Sequence, residues 1–130
     1  MESAASVKGI PGLQFCWLCG ETDAWLQAAH IHAGAGTALR KDDRRAVCLL
    51  CDRCHRCHVS DSNKHTEMTI NNETYPTIDA KVMLWLKLSM DSAYFDPDFL
   101  EGLWIGNLPE PKAPSQFWLN RLYENQGLML

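Results

Sequence analysis

No apolar run in this chain of 130 residues approaches the ~20 residues that a membrane-spanning helix needs. The N-terminal segment MESAASVKGIPG lacks a basic flank followed by an apolar stretch, so we expect no secretory signal peptide. Charged residues make up 22% of the chain and apolar residues 46%, a balance that excludes collagen-like, coiled-coil and fully disordered proteins. We therefore expect a cytoplasmic protein of one globular domain that does not contact a membrane.

Positive charge is concentrated in one segment of the chain. The formal net charge is −4, but the segment from His30 to His65 carries seven Lys or Arg against four Asp. That segment is therefore +3 and the remainder is −7. All five histidines lie within it. A basic, His-rich segment in an acidic chain indicates a local anionic partner, and a solvated face of mixed charges is the alternative interpretation.

The composition along the chain divides it into three parts. Residues 1–13 contain several small residues and a Gly-Ile-Pro-Gly turn signal, so we expect a poorly ordered tail. Residues 14–65 hold every Cys and His and are expected to form one compact domain. Residues 66–130 are expected to form a helical C-terminal extension that packs on the same domain. The polar stretch Ser60–Asn72 is expected to be a loop.

Apolar periodicity and turn signals predict the individual elements. Asp96 followed by Pro97 is typical of a helix start, and Thr77 is a candidate N-cap for a helix over residues 77–91. Periodic apolar neighbours favour core packing for three tryptophans, which are Trp85, Trp104 and Trp118. The other expected elements are a turn at CWLCG, strands at Leu26–Ile31 and Arg45–Leu50, a Gly-rich loop at His32–Gly36, and helices from near Asp52 and over Gln116–Glu124.

The six cysteines are interpreted as metal ligands rather than disulfides, because thiols stay reduced in the cytoplasm. Cys16 and Cys19 form one CxxC pair, whose two intervening residues let both thiolates point at one ion from a tight turn that Gly20 eases. About thirty residues later, a run of cysteines offers a second pair and so the four thiolates of a closed tetrahedral zinc site. Three pairs fit this spacing, namely Cys48/Cys51, Cys51/Cys54 and Cys54/Cys57.

We prefer Cys51 and Cys54 as the second pair of zinc ligands. Cys48 lies in the expected strand and Cys57 lies one turn into the expected helix, so both are interpreted as small buried hydrophobes, with a second metal as the alternative. The run also contains two overlapping CxxCH patterns, which are typical of c-type haem attachment. Two overlapping copies cannot both attach a haem. Haem attachment takes place after export, and we expect no export signal here, so we favour zinc.

Together these segments resemble the HNH endonuclease family. The CWLCG turn, Ala29-His30-Ile31 and the segment AVCLLCDRCH follow the family's layout over roughly residues 15–60. The sequence is most similar to the small HNH proteins of phages and prophages. The resemblance implies an α+β fold with a ββα-metal, treble-clef-like motif that is braced by a zinc site of two CxxC pairs. A helical C-terminal half, which resembles no family, would follow this motif.

The resemblance also implies roles for individual residues. His30, at the end of the first strand, would be the general base that activates water. His55, at the start of the helix, would hold a catalytic divalent metal, either Mg²⁺ or Mn²⁺. The family usually has a second metal ligand at the position of Ala29 and an Asn at the position of Ala46, so two polar roles are vacant here. Candidates to fill them are His32 on the same strand face as His30, His58 one turn past His55, and Asp42 or Asp43.

Six basic residues flank these histidines in the sequence. Side chains of this kind would position a DNA duplex through its phosphates without reading its bases. Alternatively, these basic side chains form a solvated surface whose charge is balanced by neighbouring Asp residues. The six residues are Arg40, Lys41, Arg44, Arg45, Arg53 and Arg56.

The leading hypothesis is a small zinc-containing HNH endonuclease that cuts DNA with His30 as base and leaves a 3′-hydroxyl and a 5′-phosphate. Its acidic C-terminal half would pack on the motif or bind a partner such as a phage packaging or recombination protein. A second hypothesis is a catalytically degenerate zinc module that binds nucleic acid, which the alanines at the two vacant positions favour. A third is a protein-interaction adaptor whose zinc site is purely structural.

Overall fold

The computed structural model describes residues 14–22, 25–31, 44–59, 64, 66–104 and 108–126, and for Leu103, Trp104 and Gln126 it describes the backbone alone. These residues form an α+β structure of two small antiparallel sheets and several helices, which confirms the expected class. None of the described helices is both long and apolar enough to cross a membrane. The elements are β1 (Leu26–His30), β2 (Val47–Cys51), α1 (Asp52–Arg56), β3 (Glu67–Ile70), β4 (Glu73–Pro76), α2 (Ala80–Met90), α3 (Pro97–Trp104) and α4 (Gln116–Gln126).

The first sheet leads directly into the first helix. Strand β1 pairs antiparallel with β2, with Leu26 opposite Cys51 and His30 opposite Val47. All five residues of β2 are buried, which explains their continuous apolar run. The predicted second strand begins two residues too early, because Arg44–Ala46 forms a short 3-10 turn before it. The predicted order of strand, strand and helix is confirmed.

A second hairpin replaces part of the loop that was predicted over residues 60–72. Strands β3 and β4 pair antiparallel, with Ile70 opposite Glu73. Asn71 and Asn72 form the connection with φ angles of 52° and 68°. A two-residue hairpin turn of this hand needs positive φ at both positions, and Asn adopts it more readily than most residues. The prediction of a loop was therefore wrong from Glu67 onwards, because the polar composition hid a hairpin signal.

Side-chain caps define where two of the C-terminal helices begin. Oδ1 of Asp79 accepts hydrogen bonds from the backbone N–H groups of Lys81 and Val82, at 3.0 and 3.2 Å. Asp79 is thus the N-cap of α2, and the predicted cap at Thr77 is wrong by two residues. Oδ1 of Asp96 accepts from the N–H of Phe99 at 3.1 Å, as expected for the start of α3.

One hydrophobic core joins the two halves of the described chain. It extends from Trp17 in the first turn to Trp118 in α4, and both side chains are fully buried. The indole N–H of Trp118 donates to the carbonyl of Pro76 at 3.0 Å. The core role expected for Trp118 is confirmed, whereas Trp85 is half-buried against the core and the side chain of Trp104 lies outside the described part.

A buried ion cluster also connects the halves. Asp91, at the end of α2, accepts two hydrogen bonds from Arg44, at 3.0 and 2.6 Å, and one from Lys87 at 2.9 Å. Lys87 is fully buried, and its ammonium lies 5.1 Å from the centre of the Trp17 ring. Burial alone would raise the pKa of Asp91, but the two cations hold it below its usual value. The cluster fixes the start of β2 against α2.

Candidate metal centre

Four cysteine thiols from two separate segments meet in one buried cluster. The sulfur atoms of Cys16, Cys19, Cys51 and Cys54 all lie within 4.8 Å of one another. These are the four ligands preferred from the sequence. Of the three candidate second pairs, the structure places Cys51 and Cys54 next to the first CxxC pair. Within the described ranges, no second group of three or more His, Cys, Asp or Glu is arranged this way.

Backbone hydrogen bonds in the first turn bring the thiols of Cys16 and Cys19 together in the cluster. The N–H of Gly20 donates to the carbonyl of Cys16 at 2.7 Å, and the N–H of Cys16 donates to the carbonyl of Glu21 at 2.9 Å. These two bonds close a tight turn. Gly20 has a φ of 81°, which a side chain would strain. The second pair is placed by the junction of β2 and α1, since Cys51 ends the strand and Cys54 lies in the first helical turn.

The size and chemistry of this cluster fit a zinc ion. Tetrahedral Zn²⁺ with bonds of ~2.3 Å to sulfur requires about 3.8 Å between neighbouring sulfurs, and the sulfurs of Cys19 and Cys51 are 3.9 Å apart. All four cysteines are buried, and a closed set of four thiolates is the usual ligand set of structural zinc. The cluster could therefore hold one zinc ion.

Without a metal, the four thiols cannot all ionise together. Hydrogen bonds from neighbouring thiols, that of Cys16 first, lower the pKa of Cys51 strongly and that of Cys19 to about 7. Burial raises the pKa of Cys16, and hydrogen bonding to Cys16 and the other thiols raises that of Cys54. A divalent cation removes this conflict, because it stabilises all four thiolates at once.

Two side chains from outside the cluster contact Cys19. Nη2 of Arg53 donates to the Cys19 sulfur at 3.2 Å, and Nδ2 of Asn125 in α4 donates to the Cys19 carbonyl at 2.7 Å. The guanidinium of Arg53 also lies over the ring of Tyr75, which stacks on Trp118. The second hairpin and the last helix therefore support the turn that carries Cys16 and Cys19.

The two remaining cysteines are buried outside the cluster. Sγ of Cys48 lies 3.4 Å from the carbonyl oxygen of Met83, to which its thiol donates. Burial raises the pKa of Cys48 to about 12 and that of Cys57 to about 11, so both stay protonated at neutral pH. This agrees with their interpretation as small buried hydrophobes.

His30 and His55 lie close enough to interact electrostatically, and His55 directly follows Cys54 of the cluster. His30 ends β1 and His55 lies in α1, one residue after Cys54. Burial lowers the pKa of His55 first, and the neighbouring His30 lowers it further, against the opposing effect of Asp52. His55 is therefore neutral at pH 7, the form that can bind a metal. Nδ1 of His55 lies 2.6 Å from Oε1 of Gln27 in β1.

The other candidate ligands are placed differently from the sequence expectation or lie outside the described residues. Helix α1 ends at Arg56, so His58 does not lie one helical turn past His55. It lies instead in extended backbone that forms a parallel bridge with Ile78. The candidates outside the described residues are His32, Asp42 and Asp43, together with the basic residues Arg40 and Lys41.

The four described arginines of the expected DNA-binding set all have partners within the chain. Arg44 is buried and bound to Asp91, which removes it from the expected phosphate-contacting surface. Arg45 pairs with Asp96 at 3.1 Å and lies over the Phe99 ring. The remaining two are Arg53, which contacts Cys19, and Arg56, which pairs with Asp52 at 3.0 Å on the surface of α1.

Three residues of this site were not predicted from the sequence. Gln27 contacts His55, Asn125 contacts Cys19, and Tyr75 lies beneath Arg53. The partners of Gln27 and Asn125 are 28 and 106 residues away, and no local spacing links them. A hairpin signal around Asn71-Asn72 would have placed Tyr75 in a strand, although not its contact with Arg53.

The described geometry thus consists of a buried four-cysteine cluster, a histidine pair beside it, and a set of supporting contacts from the C-terminal half. Comparison of the chain with known protein families, with curated proteins and with solved structures gives no match.

Proposed function

We propose that the protein is a metal-dependent HNH endonuclease that hydrolyses DNA phosphodiester bonds. In this proposal β1, β2 and α1 form the ββα-metal motif, and the four-cysteine cluster holds structural zinc. The observation that carries the proposal is the nearness of His30 and His55 beside that cluster, which the resemblance to the HNH family expects of a base and a metal ligand. The zinc would fix the end of β2 and the start of α1 relative to the first turn.

The proposed chemistry gives each histidine one role. The imidazole of His30 accepts the proton of the attacking water, as a general base does. His55 stays neutral because it is half-buried near a second imidazole, and Gln27 holds its ring. His55 would hold Mg²⁺ or Mn²⁺, and that ion would supply charge stabilisation at the leaving oxygen. The family precedent implies a 3′-hydroxyl and a 5′-phosphate as products.

Contacts with the DNA backbone would come from the arginines that stay near the surface. Arg45 and Arg56 are the better candidates, because each is at least one-third exposed and each pairs with a partly exposed carboxylate. A phosphate can replace such a partner at small cost, since exposed ion pairs contribute ~0–1 kcal/mol. This part of the proposal predicts binding that weakens as salt increases.

The test is nicking of supercoiled plasmid by zinc-loaded protein with Mg²⁺ or Mn²⁺. His30→Ala with the same zinc content and melting temperature should lose the activity, and Asn120→Ala on the exposed face of α4 should keep it. Equal cutting by wild type and His30→Ala would show that His30 is not the base. No cutting of supercoiled, nicked, linear or single-stranded DNA would refute the nuclease.

A second candidate is a catalytically degenerate zinc module that binds nucleic acid. It is favoured by the environment of Ala29 and Ala46, the two positions where the family pattern has polar groups. Both are buried, at 0% and 1% exposure, and Ala29 lies opposite Cys48 in the sheet. This candidate predicts salt-dependent DNA binding that His30→Ala leaves unchanged, without cleavage. Fluorescence anisotropy with a labelled duplex at two salt concentrations measures it.

A further inference from the structure

The side-chain amide of Gln27 bridges two residues of α1. Its Oε1 atom lies 2.6 Å from Nδ1 of His55, and its Nε2 atom lies 3.4 Å from Oδ1 of Asp52. Gln27 is the second residue of β1, and both partners are in the five-residue helix that follows β2. The amide thus connects the strand that carries His30 with the helix that carries His55.

The carboxylate of Asp52 determines which way the amide points. An ionised carboxylate only accepts hydrogen bonds, so the NH₂ end of Gln27 faces Asp52 and the carbonyl end faces His55. A carbonyl oxygen also only accepts, so the ring nitrogen at 2.6 Å must donate. The proton of the neutral imidazole is therefore on Nδ1, and the lone pair is on Nε2.

We infer that Gln27 is a positioning residue that holds His55 in the Nδ1–H tautomer, which leaves Nε2 as the atom that takes the catalytic cation. The inference rests on the proposed function, since it names the atom through which that site would bind its metal. Ligating histidines ordinarily donate their other ring N–H to an oxygen acceptor, and loss of such a partner typically weakens metal binding 10- to 100-fold. Here the acceptor is an amide oxygen from a neighbouring strand.

Two substitutions of Gln27 separate the hydrogen bond from packing. Gln27→Met keeps the length of the side chain and removes the acceptor. Gln27→Glu keeps an oxygen within reach of Nδ1. Gln27→Met should let His55 adopt either tautomer, and Gln27→Glu should keep His55 in the Nδ1–H tautomer. Gln27 is half-buried, so a thioether can be accommodated at this position.

The measurement is long-range ¹H–¹⁵N correlation of the histidine rings in the full-length, zinc-loaded protein near pH 7.5. We expect wild type and Gln27→Glu to show the Nδ1–H pattern for His55, and Gln27→Met to lose it. The ring of His58, which lies after α1, provides an internal reference that should not change. Titration with Mn²⁺ should broaden the His55 ring signals, with an affinity that falls about 10-fold or more in Gln27→Met.

Several outcomes would overturn the inference, and none of them depends on DNA cleavage. An Nε2–H pattern for His55 in wild type would do so, as would an unchanged tautomer in Gln27→Met. Broadening that is equally strong in wild type and Gln27→Met would show that Gln27 does not support a cation. If the tautomer and the Mn²⁺ response follow the expectation but plasmid nicking is absent, the proposed nuclease fails while the assignment of Gln27 stands. If Gln27→Met does not fold, the wild-type tautomer alone decides the assignment.

Discussion

Arg53 donates a hydrogen bond from its guanidinium to the sulfur of Cys19, with 3.2 Å between the two atoms. Burial lowers the pKa of Arg53, but the nearby thiols of Cys54 and Cys19 raise it overall, so the side chain stays cationic. Four thiolates around Zn²⁺ carry a net charge of −2, and a cation beside one of them offsets half of it. The contact would therefore favour retention of a zinc ion bound by this cluster.

Replacement of Arg53 by Gln should weaken zinc binding by roughly 10-fold, because outer partners of metal ligands contribute about this much. Zinc transfer to a coloured chelator, followed over time, measures the effect. Arg56→Gln is the matched control, since it removes a guanidinium from the same helix that pairs only with Asp52. Equal rates for the two variants would show that the Arg53–Cys19 contact does not stabilise the centre.

Zinc content should depend on Cys16 and be independent of Cys57. Cys16→Ser removes one of the four clustered thiols, and binding of structural zinc is coupled to folding, so this variant should lose both metal and cooperative melting. Cys57→Ala should keep one zinc per chain, because its thiol lies outside the cluster. Elemental analysis together with thermal melting tests both statements. Loss of zinc from Cys57→Ala would point to a different ligand set.

The buried ion cluster predicts a large cost for Asp91→Asn. The substitution removes the carboxylate that Lys87 and Arg44 share, and breaking a buried ion pair costs about 3–5 kcal/mol. Asp96→Asn removes an ion pair with Arg45 that is partly exposed and keeps a capping oxygen, so it should destabilise the protein far less than Asp91→Asn. Urea unfolding of both variants provides the comparison. Similar midpoints would contradict the structural role of the cluster.

The turn of the second hairpin predicts opposite effects for two substitutions of Asn72. Its φ of 68° strains the backbone of a β-branched residue, whereas glycine adopts this angle without strain. Asn72→Val should therefore destabilise the protein by about 1–2 kcal/mol, and Asn72→Gly should leave the stability unchanged or raise it slightly. Thr74→Val introduces the same residue at an exposed strand position and should be tolerated. A harmless Asn72→Val would mean that the turn adopts another conformation.

The stability of the protein should fall below pH 6.5 partly because of His55. Burial and the neighbouring His30 lower its pKa in the folded state from the ordinary 6.5. The unfolded chain therefore binds the proton more readily, and this contribution is present above pH 6.5 and is lost as the pH falls through and below that value. His55→Gln should show a shallower decline between pH 7.5 and 5.5 in chemical unfolding. Parallel curves for the two proteins would exclude this contribution.

Local sequence patterns were sufficient to predict the cysteine cluster and the starts of several elements. A CxxC turn with a following glycine, a strand that is apolar throughout, and an Asp-Pro helix start each depend on residues that are close together in the chain. The hairpin at Asn71-Asn72 also had a local signal, but the polar residues around it favoured a loop. The cap of α2 was misplaced because Thr77 and Asp79 both have side chains that can cap a helix.

The contacts that support the site could not be predicted from the sequence, because they join residues that are distant in the chain. Arg44 was expected at a DNA surface, and its burial follows from the position of Asp91, 47 residues later. In the same way, Gln27 has no local pattern that links it to His55. The partner of a polar side chain is set by how the elements pack, and one sequence contains no direct record of that packing.

The hydrogen bond from Asn125 to the Cys19 carbonyl has a consequence for how the protein is made. All four clustered thiols have been synthesised once the ribosome has added Cys54, whereas Asn125 follows about 70 residues later. At ~5–20 residues per second, the interval is roughly 4–14 seconds. The nascent chain therefore presents a complete set of metal ligands well before helix α4 can cover it. A zinc ion captured by this cluster during translation would bind before Asn125 can contact Cys19, so zinc supply would act on the nascent chain.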